Sequence, residues 1–418
     1  MRGLPMADMS NSVSAIVAPW LTVIGIGEDG VAGLGDEAKR LIATAPVVFG
    51  GVRHIELAAS LIQGDSEVWQ SPFEKSVEAI VSRRGSPVVV LASGDPFLYG
   101  VGATLARRID VAEMRTIPAP SAFSLAASRL GWALQEAATV SLHGRSLDLI
   151  RPQLQPGARV VALTSDENGP KALAELLSES GFGQSRLTVL EALGGGRERV
   201  SRHIAASFAL EKAHSLNVCA LEVVADAGAR ILPLAGGRDD ALFEHDGQIT
   251  KREVRALTLS ALAPRKGELL WDIGSGSGSI AIEWMLADPA MRAIAIEASS
   301  ERAARIGRNA ACFGVPGLAV VEGQAPDALR GLTSPNAIFV GGGGSDPGVM
   351  EAAIAALCSG GRLVANAVTT AMEAVLLAHH ARLGGSLIRI DIARASPVGT
   401  MTGWRPAMPV TQWSWVKP

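Results

Sequence analysis

Residues 271–278 read WDIGSGSG, and Glu297 closes the apolar run AIAIE one helix later. An apolar strand ending at Trp271–Ile273, three glycines at 274, 276 and 278, and a helix beginning near Ser279 together describe a strand–turn–helix. Its backbone can approach a ligand closely, and its helix amides face that ligand. An acid at the end of the following strand stands where a ribose would present its hydroxyls. The chemistry implied is the binding of an adenosine-containing cofactor. A dinucleotide loop needs glycines spaced G-x-G-x-x-G. Here the third glycine follows two residues after the second, Ser279 takes the dinucleotide position, and Asp272 precedes the glycines.

The pattern D-x-G-x-G-x-G with a strand-end acid resembles the class I, S-adenosylmethionine-dependent methyltransferases. The resemblance implies that Asp272 helps orient the cofactor, that Gly274, Ser275, Gly276, Ser277 and Gly278 accommodate its methionine part, and that Glu297 holds its ribose.

A second glycine turn, LTVIGIGEDG (21–30), does satisfy G-x-G-x-x-G at Gly25, Gly27 and Gly30. Nicotinamide binding would require an acid about 20 residues on, but the next strand, APVVFGG, ends in glycines. Further strand-like runs follow: PVVVLASGDPFLYG (87–100), TIPAP leading into a small-residue helix (116–132), VSLHGR (140–145), VVALTSD (160–166), LTVLEALG (187–194) and LNVCALEVVAD (216–226). This alternation predicts a mostly parallel sheet covered by helices, closed by the last run. VIGIGEDG, SGDPFLYG and PAPSAF, in this order, resemble the two-lobed tetrapyrrole (class III) methyltransferases, which bind S-adenosylmethionine between their lobes. Cofactor contacts implied by that resemblance are Gly94, Asp95, Ser121, Ala122, Leu163 and Ala192.

The elements that must position these residues divide the 418-residue chain into two α/β domains. The tetrapyrrole-methyltransferase-like domain spans 20–226, a Gly- and charge-rich linker 227–245, and a Rossmann-like class I domain 246–418. The second opens with TKREVRALTLSALAP (250–264), an amphipathic helix for which Thr250 and Glu253 form a capping box. The tail 404–418 reads as a closing strand or an interface.

The T-x-x-E-V-R stretch, EGQAPDAL (322–329), IFVGGGG (338–344) and GGRLVANAV (360–368) make the second half resemble the enzymes that methylate and decarboxylate a precorrin. Fused to the first half, the whole resembles a decarboxylating precorrin methyltransferase family of cobalamin biosynthesis. That resemblance implies two S-adenosylmethionine sites, one per domain. The first half would methylate carbon 5, and the second would decarboxylate the ring C acetate and methylate carbon 15. It adds Thr250, Gln324 and Ala325 to the cofactor contacts and implies a homo-oligomer.

A macrocycle fringed with carboxylates calls for guanidinium forks. The candidates are Arg252 and Arg255 in the second half and Arg197, Arg199 and Arg202 in the first. Gly341, Gly342, Gly343, Gly344 and Asn366 are expected to wall the substrate crevice. No Ser-His-Asp or Cys-His set identifies a catalytic residue. The histidines lack metal-ligand spacing; His143 alone ends a strand, and His379-His380 is expected on a helix surface. A methyltransferase acting on another tetrapyrrole, a nicotinamide-dependent oxidoreductase and a nonenzymatic tetrapyrrole carrier are the competing readings.

A net charge of −3 provides no general attraction to nucleic acid or anionic membrane. Three scattered cysteines suggest neither a disulfide framework nor a zinc site. No apolar run reaches the roughly 20 residues of a membrane span. Residues 1–19 lack the apolar centre of a signal peptide, so a cytoplasmic protein is expected.

Overall fold

The computed structural model describes residues 19–418; the expectation for the N-terminal stretch, Pro19 apart, lies outside them. Two compact units emerge. One holds the chain through Gly144 together with Gly157–Glu179 and Gly183–Val223; the other holds Arg145–Pro156, Ser180–Phe182 and Val224–Pro418. Residues 227–245, read from sequence as a linker, thus belong to the second compact unit.

In the first unit, β1 (Leu21–Ile26), β2 (Val47–Gly50), β3 (Asp65–Val68), β4 (Val88–Ser93) and β5 (Met114–Ile117) make a parallel sheet ordered β3-β2-β4-β1-β5. Both of its faces are covered. Val23, Phe49 and Val90 belong to one apolar cluster, Ile24, Val48 and Leu91 to another. Burial on two sides explains why these strands read as unbroken apolar runs.

The second lobe contains β6 (Ala137–Ser141), β7 (Arg159–Leu163), β8 (Arg186–Glu191), β9 (Arg199–Ile204) and β10 (Asn217–Glu222), ordered β6-β7-β10-β8-β9. Only β6 and β7 are parallel; the other pairings are antiparallel. The expected parallel sheet is therefore confined to the first lobe. Nor does β10 close the sheet, because it inserts between β7 and β8. A strand buried on both faces carries no mark of its direction, so apolar runs alone could not reveal this.

The second unit is built on a seven-stranded sheet. β11 (Leu269–Ile273), β12 (Arg292–Glu297), β13 (Ala319–Glu322), β14 (Ala337–Val340) and β15 (Arg362–Ala367) are parallel. β16 (Ser386–Ile390) precedes a separate hairpin of β17 (Ala393–Val398) and β18 (Met401–Pro406). β19 (Val410–Val416) then runs antiparallel between β15 and β16, giving the order β13-β12-β11-β14-β15-β19-β16. The tail is thus a closing strand with Trp413 fully buried, while Trp404 on the hairpin is 77% exposed. No helix among the described residues is long and apolar enough to cross a membrane.

Candidate functional site

Each unit opens a cleft at the carboxyl ends of its parallel strands, where an α/β sheet presents its ligand crevice. The first has a volume of about 560 Å³. It depends on Gly25, where a Cβ would lie 1.9 Å from the Gly94 carbonyl oxygen and 2.6 Å from the Ala119 nitrogen. The end of β1 can therefore nest against the turn after β4, with Gly94 at φ +52° and the Ala119 N–H donating to the Gly94 carbonyl at 3.1 Å. Asp95 folds back to accept the Phe97 N–H at 2.9 Å. Ser121 caps the helix Ala122–Leu130, accepting from the Ser124 N–H at 3.1 Å.

Of the contacts expected in this unit, Gly94, Asp95, Ser121, Ala122 and Leu163 line the cleft, as does His143. Ala192 does not: it is buried at φ +44° while Leu190 and Leu193 reach the cavity. Arg197, Arg199 and Arg202 also stay outside it. Arg199 is committed to Glu191 through a two-pronged pair at 2.5 and 2.7 Å.

Two residues not singled out from sequence do line the cleft. Arg53 and His54 lie on the helix Val52–Ala58, which starts directly after β2. Arg53 pairs with Glu28, and its Nη2 lies 2.7 Å from Ser93 Oγ at the end of β4. His54 Nε2 lies 2.8 Å from the same oxygen, while its Nδ1 accepts the Gly51 N–H at 3.3 Å. Burial, reinforced by the Arg53 charge, lowers the His54 pKa to about 4, so the ring is neutral near pH 7. The doublet GGVRH after a strand was the available signal, but nothing in its spacing indicates a cleft.

The second cleft encloses about 790 Å³. Its floor is the turn after β11, with Gly274, Gly276 and Gly278 at φ +69°, +61° and +79°. A Cβ on Gly274 would meet the Gly342 carbonyl oxygen at 2.5 Å, so the two glycine turns touch through bare backbone. Glu297 is 6% exposed and accepts the Gly276 N–H at 2.8 Å and the Ser299 N–H at 3.0 Å, one on each oxygen. Each oxygen retains acceptor capacity towards the cavity.

Asp272 lies beneath the turn rather than on its surface. Its Oδ2 accepts from Ser275 Oγ at 2.8 Å and from the Ala281 N–H at 3.1 Å, while the buried Oδ1 has no partner. Burial raises its pKa to about 6; the two hydrogen bonds oppose that shift and the Glu297 charge adds to it. Asp272 therefore braces the glycine turn from below.

Thr250, Gly274, Ser275, Gly276, Glu297, Gln324, Ala325, Gly341, Gly342, Gly343 and Asn366 line this cavity. Ser277 and Gly278 do not. Ser277 is buried, and a Cβ on Gly278 would press on Ile306 at 2.9 Å, so that glycine serves helix packing. Gly344 turns towards Met372 and Val340 instead of the crevice.

Thr250 is not a helix cap. The helix Arg252–Leu262 is preceded by Lys251 without a side-chain cap bond, and Glu253 pairs with Arg394. Arg252 is exposed and does not line the cavity. Arg255 is completely buried, bound to Glu283 at 2.7 Å and Asp240 at 3.1 Å, with Glu283 also accepting the Gly237 and Arg238 N–H groups. Arg255 thus holds residues 237–240 to the fold and, fully buried and outside the cavity lining, is out of reach of substrate. The cations that reach the cavity are Lys251, Arg302 and Arg394. His379, expected on a helix surface, is buried with its ring stacked on Trp413 at 5.7 Å.

Both clefts suit S-adenosylmethionine. Bare glycine backbone admits close approach, strand-end carboxyl oxygens can take ribose hydroxyls in the second, and apolar walls surround both. Residues 21–207 match the family model described as tetrapyrrole (corrin/porphyrin) methylases, and residues 241–417 match the precorrin methyltransferase domain. A protein from Sinorhizobium sp. described as precorrin-6Y C(5,15)-methyltransferase (decarboxylating) is 79% identical over 412 residues, 99% of this chain and 100% of its own. One of the same description from Mycobacterium tuberculosis (strain CDC 1551 / Oshkosh) is 40% identical over 400 residues, covering 95% and 100%. The solved C-terminal domain of precorrin-6Y C5,15-methyltransferase from Rhodobacter capsulatus is 49% identical over 44% of this chain and all of its own, with a TM-score of 0.43.

Proposed function

The chain belongs to the precorrin-6Y C(5,15)-methyltransferase (decarboxylating) family, and from that premise we propose that its two clefts are two methyltransferase sites, each with its own S-adenosylmethionine. The enzyme methylates a precorrin and removes a carboxyl group in cobalamin biosynthesis. The division of labour is the proposal: the first unit methylates carbon 5, and the second decarboxylates the ring C acetate and methylates carbon 15. What supports two sites is that each unit has a strand-end cleft of its own and matches a methyltransferase family model of its own; which carbon each serves follows from the family resemblance of each half.

Bound S-adenosylmethionine supplies an electrophilic methyl group and leaves as S-adenosylhomocysteine. The protein's part is to hold cofactor and macrocycle in line and to exclude water. In the second unit, Gly274 and Gly276 let the cofactor approach the backbone, Glu297 anchors its ribose, and Gly341–Gly343 leave a flat wall for the macrocycle. Decarboxylation breaks the bond between the acetate methylene and its carboxyl carbon. The electron pair passes into the conjugated macrocycle, and a proton converts the methylene to methyl. The apolar residues Val254, Ile390, Ile392 and Val410 in the same cavity favour departure of neutral carbon dioxide over retention of a carboxylate.

Calorimetric titration with S-adenosylhomocysteine tests the reading. Two sites per chain are expected. A single site would refute the assignment of a methyl transfer to each unit.

A further inference from the structure

Of the three cations that reach the second cavity, two are tied to carboxylates around its cofactor end. Arg302, on the helix after Glu297, holds Asp246 at 2.8 Å. Lys251 lies 3.6 Å from Asp240, which the buried Arg255 also binds. Arg394 stands apart from both. It follows Ile390 and Ile392 at every second position, and all three line the cavity, so Arg394 extends the apolar wall.

The sheet order places that wall far from the ribose anchor. Glu297 ends β12, whereas Val410 begins β19, four strands further along the sheet. At the usual strand spacing that is about 19 Å. A cofactor with its ribose on Glu297 and its methionine part over the turn after β11 therefore leaves the end at β15, β19 and β16 to the macrocycle.

Charge at that end is unbalanced. Arg394 lies directly opposite Arg405 in the register of β17 and β18, so the two side chains share one face of the hairpin and repel each other. Among the described residues Glu253 is the one carboxylate paired with Arg394, and none pairs with Arg405. The Arg394–Glu253 pair is itself 47% and 42% exposed, and a pair so open to water is held weakly. An arriving carboxylate can therefore engage the Arg394 fork and relieve the repulsion, at little cost to the existing contact.

We propose that Arg394 is a substrate-binding residue of the second unit, and that it holds a carboxylate of the tetrapyrrole rim that survives the reaction. This rests on the reading of that unit as the decarboxylating carbon 15 methyltransferase. An ion pair to the departing ring C acetate would stabilise its carboxylate in the ground state and oppose its loss, whereas the apolar side chains next to Arg394 favour that loss.

The full chain is assayed with precorrin-6Y and S-adenosylmethionine carrying a 13C-methyl group, which gives the carbon 15 methyl a resonance of its own. Arg394→Met keeps an apolar stem and removes the charge. It is expected to raise KM for carbon 15 methylation about tenfold, the weight of one hydrogen bond to a charged group. Its kcat and the affinity of the second site for S-adenosylhomocysteine should stay nearly unchanged. The inhibition constant of the decarboxylated product against carbon 15 methylation should rise by the same factor, since the bound carboxylate is still present. KM should also climb less steeply with potassium chloride than in the unsubstituted chain, a response that a merely structural residue would not alter. Arg394→Lys, which keeps a charge without the fork, should fall between the two. An unaltered KM in Arg394→Met overturns the proposal, as does a parallel loss of S-adenosylhomocysteine affinity, which would place Arg394 at the cofactor. Weaker substrate with unweakened product also overturns it, because Arg394 would then hold the acetate that departs. If the unsubstituted chain puts no methyl on carbon 15, the reading of the second unit fails first and takes this inference with it.

Discussion

Replacing Asp272 by Asn tests whether a strained charge lies beneath the second glycine turn. The folded carboxyl has its pKa raised from 3.8 to about 6, so between those values the folded state holds a proton that the unfolded state has released. Stability from this group is therefore present at about pH 4 and lost as pH rises through about 6. Two pKa units correspond to about 3 kcal/mol, and the side chain is 1% exposed, so solvent screening removes little of it. Asn keeps the acceptor for Ser275 and Ala281 but carries no charge. Urea unfolding of both chains from pH 4.5 to 7.5, followed through the second unit's transition by fluorescence of Trp271 and its neighbours, gives the difference between them. Across this range that difference should move in favour of Asn by about 2 kcal/mol, the remainder of the total having been lost below pH 4.5, and level off above about pH 7. A constant difference across the range would refute the argument, because it would mean that Asp272 titrates at its ordinary value. A shift in favour of Asp would show that the unpartnered Oδ1 has an undetected cationic neighbour.

Glu297→Ala removes the ribose acceptor and releases the Gly276 and Ser299 N–H groups. Calorimetry should show S-adenosylhomocysteine affinity falling about a hundredfold at one site, consistent with about 3 kcal/mol from lost charge-assisted hydrogen bonds, with the other site unaffected. Gly25→Ala should act in the opposite sense: a Cβ 1.9 Å from the Gly94 oxygen forces the first turn open, so binding at the first site should weaken more than tenfold while the second persists. Arg255→Leu leaves Glu283 buried without its best partner and should lower the second unit's unfolding free energy by about 3 kcal/mol. In the same way, a fragment beginning at residue 246 lacks the Gly237 and Arg238 N–H donors and the Asp240 carboxylate. Its melting temperature should lie well below that of one beginning at residue 224, and equal melting temperatures would make the buried ion cluster dispensable.

The features legible in the sequence were those in which a residue type answers a local backbone demand. Gly274, Gly276 and Gly278 all adopt positive φ, a conformation that other side chains resist, so their spacing announced the turn. The runs at β1, β4 and β11 were readable because strands buried on both faces must be apolar throughout. Glu297 was placed by counting one helix and one strand beyond the turn. Side-chain destinations were another matter. Asp272 and Glu297 are both acids near strand ends and, with Asp272 paired to Ala295, face the same side of the sheet. Yet Asp272 stops one residue short of the end of its strand and is covered by the glycine turn, while Glu297 is the last residue of its strand and reaches the cavity. Arg252 and Arg255 read alike as substrate ligands, but three residues of helix carry Arg255 inward to meet Glu283, 28 positions later.

By itself, then, the sequence determined the two α/β units and the two glycine turns, since each rests on contacts within a few residues or one βαβ step. Only the tertiary structure decided which arginines are structural, which way β8, β9 and β10 run, and that Arg53, His54 and Ser93 converge on one oxygen. Those outcomes depend on pairings between distant segments, where a charge or a hydroxyl takes its role from the partner that the fold brings to it.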